Sequence, residues 1–303
     1  MILALDIGGT KLAAGLVSPG GELSRVERVV TGADPTAALS GLLDRYPGAA
    51  EGAYDGVGVG CGGPMRWPAG VVSPLNIPAW RGFPLRDWLA HRFAGVPVRL
   101  HNDAVCVAVA EHWRGGWGTD DLLGMVVSTG VGGGLVLGGR LVAGASGNAG
   151  HIGHVVVEPD GPACTCGGRG CLEAVARGPA LVQWSARRGC PATDAAALAA
   201  LAGTGDAVAV AAFDRAGRAL GRGIASAAAL LDVRAVVVGG GLSQVGELLW
   251  GPLREELSAR ARLGFLADLV VAPARLGQEA GLLGAAALHL AGDRYWSLPD
   301  SGA

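Results

Sequence analysis

Residues 2–17 read ILALDIGGTKLAAGLV, and residues 124–137 read GMVVSTGVGGGLVL. Each is an apolar run, a turn of small residues and a second apolar run, which predicts strand, glycine turn, strand. The two stretches share few letters but one pattern. Their recurrence about 120 residues apart predicts two similar α/β halves. Outward from them, VGVGCGGP (57–64) predicts a strand ending in a glycine-proline loop, and VPVRLHND (96–103) a strand ending on polar residues. Helices are predicted over 36–45, 84–93 and 104–113, the last with Asp103 as its N-cap. Alanine-rich helices follow over about 194–230. AVVVGGG (235–241) predicts a third strand running into a glycine turn, and 276–291 a terminal helix. The last dozen residues read as a loose tail. A boundary near Gly115-Gly116-Trp117-Gly118 gives a small domain 1–116, joined by the helix at about 278–291, and a large domain 117–277.

Composition sets the outer limits. Of 303 residues half are hydrophobic and only 17% are charged, with net charge −2. A sizeable core follows, and general disorder does not. Lys11 is the only lysine, and no Lys/Arg block offers a footprint for a phosphate backbone, so no nucleic-acid partner is expected. No run of about 18 uncharged apolar residues exists, so no membrane span is expected. The opening Met-Ile-Leu-Ala-Leu-Asp lacks a basic leader, and a cytoplasmic location is expected. The 53 glycines are about 17% of the chain, against an average of ~7%. They fall in clusters, which implies backbone that turns sharply or lies against something.

Five stretches carry candidate chemistry. In Asp6-Ile7-Gly8-Gly9-Thr10-Lys11 a carboxylate ends a strand and bare amides follow. Such a turn can cradle phosphate, and the Asp can hold water on Mg²⁺; the alternative is an ordinary hairpin turn. Ser128-Thr129-Gly130-Val131-Gly132-Gly133-Gly134 has the same choice, and the pair together favours one phosphate chain gripped from two sides. Asn102-Asp103 joins a strand to a helix. A carboxylate there can take the proton of an attacking hydroxyl, or simply cap the helix. His154, Cys164, Cys166 and Cys171 offer three thiolates and an imidazole, a common tetrahedral zinc set with no open position, hence structural. Reduced, buried cysteines are the alternative. Gly239-Gly240-Gly241 could lie flat against an adenosine. Cys61, Cys106 and Cys190 read as core or surface residues.

In order, DIGGTK (6–11), GVGCGGP (58–64), HND (101–103), STGVGGG (128–134), GNAGHIGH (147–154), CTCGGRGCLE (164–173) and VVVGGGLS (236–243) resemble the ROK family of sugar kinases and repressors, bacterial glucokinases in particular. The resemblance spans essentially the whole chain. It implies two actin-like (ribonuclease H-like) α/β domains with a cleft between them, and a zinc-bound loop in the larger. It implies ATP-dependent phosphorylation of the primary hydroxyl of a hexose, with ATP, Mg²⁺ and structural Zn²⁺. By the same resemblance Asp103 is the general base. Gly63, Asn102, His151, His154 and Glu173 lie at the sugar. Asp6, Gly8, Gly9, Thr10, Lys11, Thr129, Gly130 and Gly132 lie at the phosphates, and Gly239, Gly240 and Gly241 at the adenosine. A homodimer or homotetramer is expected by the same analogy.

Three positions depart from the family pattern, and the first bears on the substrate; the other two are compatible with kinase chemistry. His151-Ile152-Gly153-His154 stands where the family reads ExGH, and an imidazole offers a donor where a carboxylate only accepts. A modified hexose, an amino hexose or a C7 cyclitol is then an alternative to glucose. Gly62 replaces a favoured Pro, and Ser128 a favoured Gly. A repressor would carry a winged-helix segment ahead of DIGGTK, which here starts at residue 6; a sugar-binding regulator without catalysis is the remaining alternative.

Overall fold

The computed structural model describes residues 1–46, 53–67 and 69–296. In chain order the first elements are β1 (Ile2–Ile7), β2 (Lys11–Val17), β3 (Leu23–Val30), α1 (Pro35–Leu43), β4 (Gly56–Cys61), β5 (Met65–Arg66), β6 (Val71–Val72), α2 (Leu85–Arg92), β7 (Val98–Asn102) and α3 (Asp103–Arg114). Then come β8 (Leu122–Val127), β9 (Val131–Leu137), β10 (Arg140–Leu141), α4 (Leu172–Ala176), α5 (Gly178–Ala186), α6 (Ala195–Gly203), α7 (Ala207–Leu231), β11 (Ala235–Gly239), α8 (Glu247–Arg260), β12 (Val270–Pro273) and α9 (Ala280–Leu290).

The echo between residues 2–17 and 124–137 is a repeat of topology. The first sheet runs β3-β2-β1-β4-β7 and the second β10-β9-β8-β11-β12. In both, the first two strands of the motif sit beside two later strands that run parallel to its opening strand. This is the actin-like, ribonuclease H-like α/β plan, present twice. β1 and β8 are central and buried on both faces, so they read as continuous apolar runs rather than alternating ones. Their C-terminal ends are where the chain turns and polar groups surface, the usual place for a site in such sheets.

The chain divides into two contact units, residues 1–120 with 134–150 and 276–303, and residues 121–133 with 151–275. The expected cut at 116/117 assigns 134–150 to the large domain, whereas these residues pack in the first unit. Arg140 Nη2 donates to Asp293 O at 3.0 Å, and Asn148 Nδ2 to Met65 O at 3.1 Å. The core of the first unit has two layers, one of Leu3, Leu5, Leu42, Val59 and Trp80, the other of Ala4, Val105, Val109, Leu282 and Leu288. Glycine permits the second. A Cβ on Gly58 would overlap Ala285 O, and one on Gly284 would overlap Cys106 O, so α9 lies directly on β4 and α3.

In the second unit α7 packs along α8. A Cβ on Gly217 would stand 2.5 Å from Leu249 O, and one on Gly221 2.8 Å from Leu253 O. Glu256, almost fully buried, takes Arg222 Nε at 2.8 Å and Arg260 Nε at 2.6 Å. The alanine-rich stretch breaks at Thr204–Asp206 because Asp206 caps α7 through Ala209 N–H. Among the described residues no single helix is long and apolar enough to cross a membrane.

Two local expectations change. Asn102, not Asp103, caps α3: its Oδ1 accepts Ala104 N–H at 3.0 Å, and Asp103 is the first helical residue. The tail is ordered through Trp296, since Tyr295 and Trp296 bury their rings; residues 297–303 lie outside the described part.

Candidate functional site

In the first unit, β1 delivers Asp6 to the turn before β2. Gly8 N–H donates to Lys11 O at 3.0 Å and Thr31 Oγ1 to Gly8 O at 2.7 Å, so the turn is held on both sides. Gly8 thus uses its amide internally, and Lys11 is already the first residue of β2. Asn76, which sequence reasoning missed, covers the turn: a Cβ on Gly9 would stand 2.5 Å from Asn76 Cβ. Its only sequence signal is a lone amide within the apolar, proline-flanked run 74–78.

The same unit brings Asp103 and the glycine-proline loop to this turn. Gly62 N–H donates to Ile7 O at 3.3 Å, and a Cβ on Gly62 would lie 3.8 Å from Asp103 Oδ2. Gly63 O accepts Leu75 N–H at 3.2 Å, which ties that loop to the segment carrying Asn76. Asp103 Oδ1 accepts Ala104 N–H at 2.8 Å. Burial raises the Asp103 carboxyl above its ordinary value, and that backbone N–H offsets part of the rise. Burial, with the Asp103 charge beside it, raises Asp6 to about 6, against the opposing pull of Lys11 and Arg28. Both carboxyls keep a minor part of their surface open. Two carboxylates that resist ionising together form a place where a proton or a cation is welcome. Cys61 and Cys106 stand next to them, fully buried, their thiols pushed well up by burial.

In the second unit, β8 runs into Ser128-Thr129-Gly130. Ser128 N–H donates to Gly130 O at 2.9 Å, and Gly178 N–H to Ser128 O at 2.9 Å. Glu173 Oε2 accepts Val131 N–H at 2.9 Å, and a Cβ on Gly130 would stand 2.9 Å from that oxygen. Glu173 is therefore anchored to the glycine turn from α4. Gly132 lies inside β9 rather than in the turn. Gly153 rests on Val131 O, too close for any side chain, which places the short turn Ile152–His154 at the start of β9. His151 heads that turn, its ring 6.2 Å from the His154 ring and nearly parallel to it. Gly239-Gly240-Gly241 ends β11 beside the Ser128–Gly130 turn. Gly240 has φ +90° and lies over Val127, where a Cβ would overlap the carbonyl oxygen. Only glycine fits both demands.

His154, Cys164, Cys166 and Cys171 meet, with their ligand atoms all within 4.8 Å of one another. Cys164 Sγ lies 3.8 Å from His154 Nδ1, and Cys166 Sγ 3.7 Å from Cys171 Sγ. A tetrahedral zinc with Zn–S of about 2.3 Å has an S···S edge of about 3.8 Å, so the spacing fits. Backbone bonds fold the knuckle: Cys164 N–H donates to Gly168 O, Gly167 N–H to Cys164 O and Gly170 N–H to Pro162 O. Without metal the thiols hold their protons unevenly. Burial and its neighbours push Cys171 up to about 12, while the Gly168 amide draws Cys166 down.

The sequence signature of the ROK family matches residues 2–291. Glucokinase of Thermotoga maritima is 36% identical over 310 residues, 95% of this chain and 96% of that one. N-acetylmannosamine kinase of Shigella flexneri is 37% identical over 289 residues, 95% of this chain and 97% of that one. A ROK family glucokinase from Streptomyces griseus, solved with glucose and AMPPNP, superposes with TM-score 0.80 at 35% identity, covering 95% and 98% of the two chains. A shared signature, near-complete coverage in both directions and the doubled sheet together mean that this chain belongs to the ROK family.

Proposed function

We propose that the chain is an ATP-dependent kinase that phosphorylates the primary hydroxyl of a hexose or hexose-like sugar. The observation that carries this reading is the placement of two buried carboxyls, Asp6 and Asp103, at strand ends beside the Gly62–Gly63 loop, where burial raises both. Family membership points the same way.

Asp103 accepts the hydroxyl proton as the hydroxyl attacks. Its raised proton affinity, caused by burial, suits a base that must take a proton late in a loose transition state. Ala104 N–H fixes one of its oxygens, leaving the other toward the loop. Asn102, Gly63, His151 and His154 hold sugar hydroxyls, and Asn76 joins them from above the Asp6 turn. Glu173 keeps one oxygen on Val131 N–H and offers the other to the sugar. The amides of Gly9, Thr10, Thr129 and Gly130 receive phosphate oxygens, with Gly8, Lys11 and Gly132 shaping those segments. Gly239, Gly240 and Gly241 lie at the adenosine. Asp6 is the residue that would hold Mg²⁺, which when bound neutralises charge on the phosphate oxygens. His154, Cys164, Cys166 and Cys171 would hold Zn²⁺, a closed set that braces the segment carrying His154 and Glu173. Clustered thiol ligands suit a reducing compartment, so the cytoplasm belongs to the same reading; a homodimer or homotetramer is carried over from the family resemblance alone.

The sugar itself has two readings. Relatives named for glucose and for N-acetylmannosamine are equally similar. His151, stacked near His154, supplies a donor and an acceptor where a carboxylate would only accept. That favours testing amino and N-acyl hexoses and C7 cyclitols beside glucose and mannose. A coupled ADP-release screen over these acceptors decides, with His151→Glu run in parallel. Asp103→Asn should lose about 10²–10⁴ in turnover and keep sugar affinity within about threefold. ADP release that no acceptor raises above the water background would sink the kinase reading. Near-normal turnover by Asp103→Asn would sink the base assignment.

A further inference from the structure

The residues after α9 fold back onto the first unit. Tyr295 Oη shares a 2.6 Å hydrogen bond with His112 Nδ1, and Asp293 O accepts from Arg140. Trp296, 8% exposed, meets Trp67 edge-on, with ring centroids 5.5 Å apart at 72°. Arg99 lies over the Trp296 ring at 5.9 Å and donates to Leu288 O at 2.6 Å. Trp67 tilts against His101 at 6.0 Å, and His101 Nδ1 accepts Asn102 N–H at 2.9 Å. One aromatic stack thus runs from the tail to the residue preceding Asn102-Asp103.

Trp67 also follows directly on β5, in the stretch that leads from Gly62. Asn148 grips this segment through both backbone groups of Met65, and Gly147 lies so close to Trp67 that a Cβ would overlap it. The Trp67 indole N–H is buried with no hydrogen-bond partner among the described residues. Burying it carries an uncompensated desolvation cost, so ring packing is what holds Trp67. Trp296 supplies one face of that packing.

We propose that Trp296 is a positioning residue. Through Trp67 and His101 it sets the 62–67 segment and the Asn102-Asp103 strand end together, and so governs capture of the acceptor. The proposal rests on the kinase reading for its consequence but not for its geometry. Loops and short edge hairpins are otherwise among the least stable parts of a fold, and this segment, which includes β5, gains a fixed support from residues outside the repeated sheets.

The test compares wild type, Trp296→Ala and Trp296→Phe on the full chain. With the best acceptor from the screen, Trp296→Ala should raise KM by about three- to tenfold, the worth of an edge-on aromatic pair, and leave kcat within about twofold. Affinity for a non-hydrolysable ATP analogue should stay within about twofold, and Trp296→Phe should recover most of the loss. Amide exchange without ligands should quicken in 61–67 and 99–104 in Trp296→Ala, with 235–241 unchanged. A KM that does not move while only thermal stability drops overturns the proposal, as does unchanged exchange in 61–67. If Trp296→Ala does not fold, the graded comparison of Trp296→Phe and Trp296→Leu gives the same readouts. A wild type inert toward every acceptor refutes the kinase reading alone, and the exchange pattern still decides the support.

Discussion

Asp6 raises the sharpest expectation, because a buried carboxyl is held at a cost to the fold. Its carboxyl is raised from 3.8 to about 6, first by burial and then by the Asp103 charge. One pKa unit is worth 1.36 kcal/mol, so ionising Asp6 in the folded protein costs about 3 kcal/mol relative to the unfolded chain. The sign follows from a raised folded value. The stability that protonation preserves is fully present below about 3.8 and is lost as pH rises through about 6. Asp6→Asn removes the ionisation. The ligand-free variant should therefore match wild type near pH 4 and exceed it by about 2–3 kcal/mol at pH 7.5, while losing turnover. The assay is urea unfolding at fixed pH steps, followed in both proteins, with a ¹³C carboxyl titration identifying the Asp6 resonance. Asp103→Asn should lower the Asp6 value but leave it above 3.8, since burial is the larger cause. An Asp6 carboxyl titrating near 4 in wild type, or a stability difference flat between pH 4 and 7.5, refutes the reasoning.

Three further outcomes are expected. Elemental analysis should find about one zinc per chain, and Cys171→Ser should lower both zinc content and the thermal midpoint; a metal-free, fully stable protein would contradict the assignment. Gly217→Ala should destabilise by about 1–3 kcal/mol, because overpacking against Leu249 O outweighs the roughly 1 kcal/mol that alanine gains in a helix. A variant as stable as wild type would mean that α7 and α8 separate freely. His289, lowered to about 4 by burial, is bonded through Nε2 to Val57 O at 3.0 Å. Its contribution is present above 6.5 and lost as pH falls toward 4, so His289→Gln should flatten the acid limb of the stability profile by about 2–3 kcal/mol.

Much of the candidate site was legible because its polar residues sit at strand ends. Asp6, Asn102-Asp103 and the 128–130 turn follow directly on apolar runs, and short-range pattern is enough to find them. The Cys-rich knuckle was legible from density of ligand residues alone, and its four members do meet. Other features needed distance in sequence to vanish. Asn76 is an unremarkable loop residue until it is seen over Gly9, 67 positions earlier in the chain by their numbering. Trp296 reads as tail until it meets Trp67. The capping role passed from Asp103 to Asn102 because one residue of phase at a strand-to-helix junction cannot be read from composition.

The glycines show the division most clearly. By itself the sequence determined the doubled strand-turn-strand plan, the Cys/His knuckle and the glycine turns at strand ends, since each depends on residues close together in the chain. Only the tertiary structure decided what the other glycines are for. Gly58 and Gly284 admit α9 against β4 and α3, and Gly217 and Gly221 admit α7 against α8. Those glycines answer to a carbonyl oxygen or helix backbone far away in sequence. A missing side chain makes room for a neighbour that no local pattern names, and packing alone reveals which one it is.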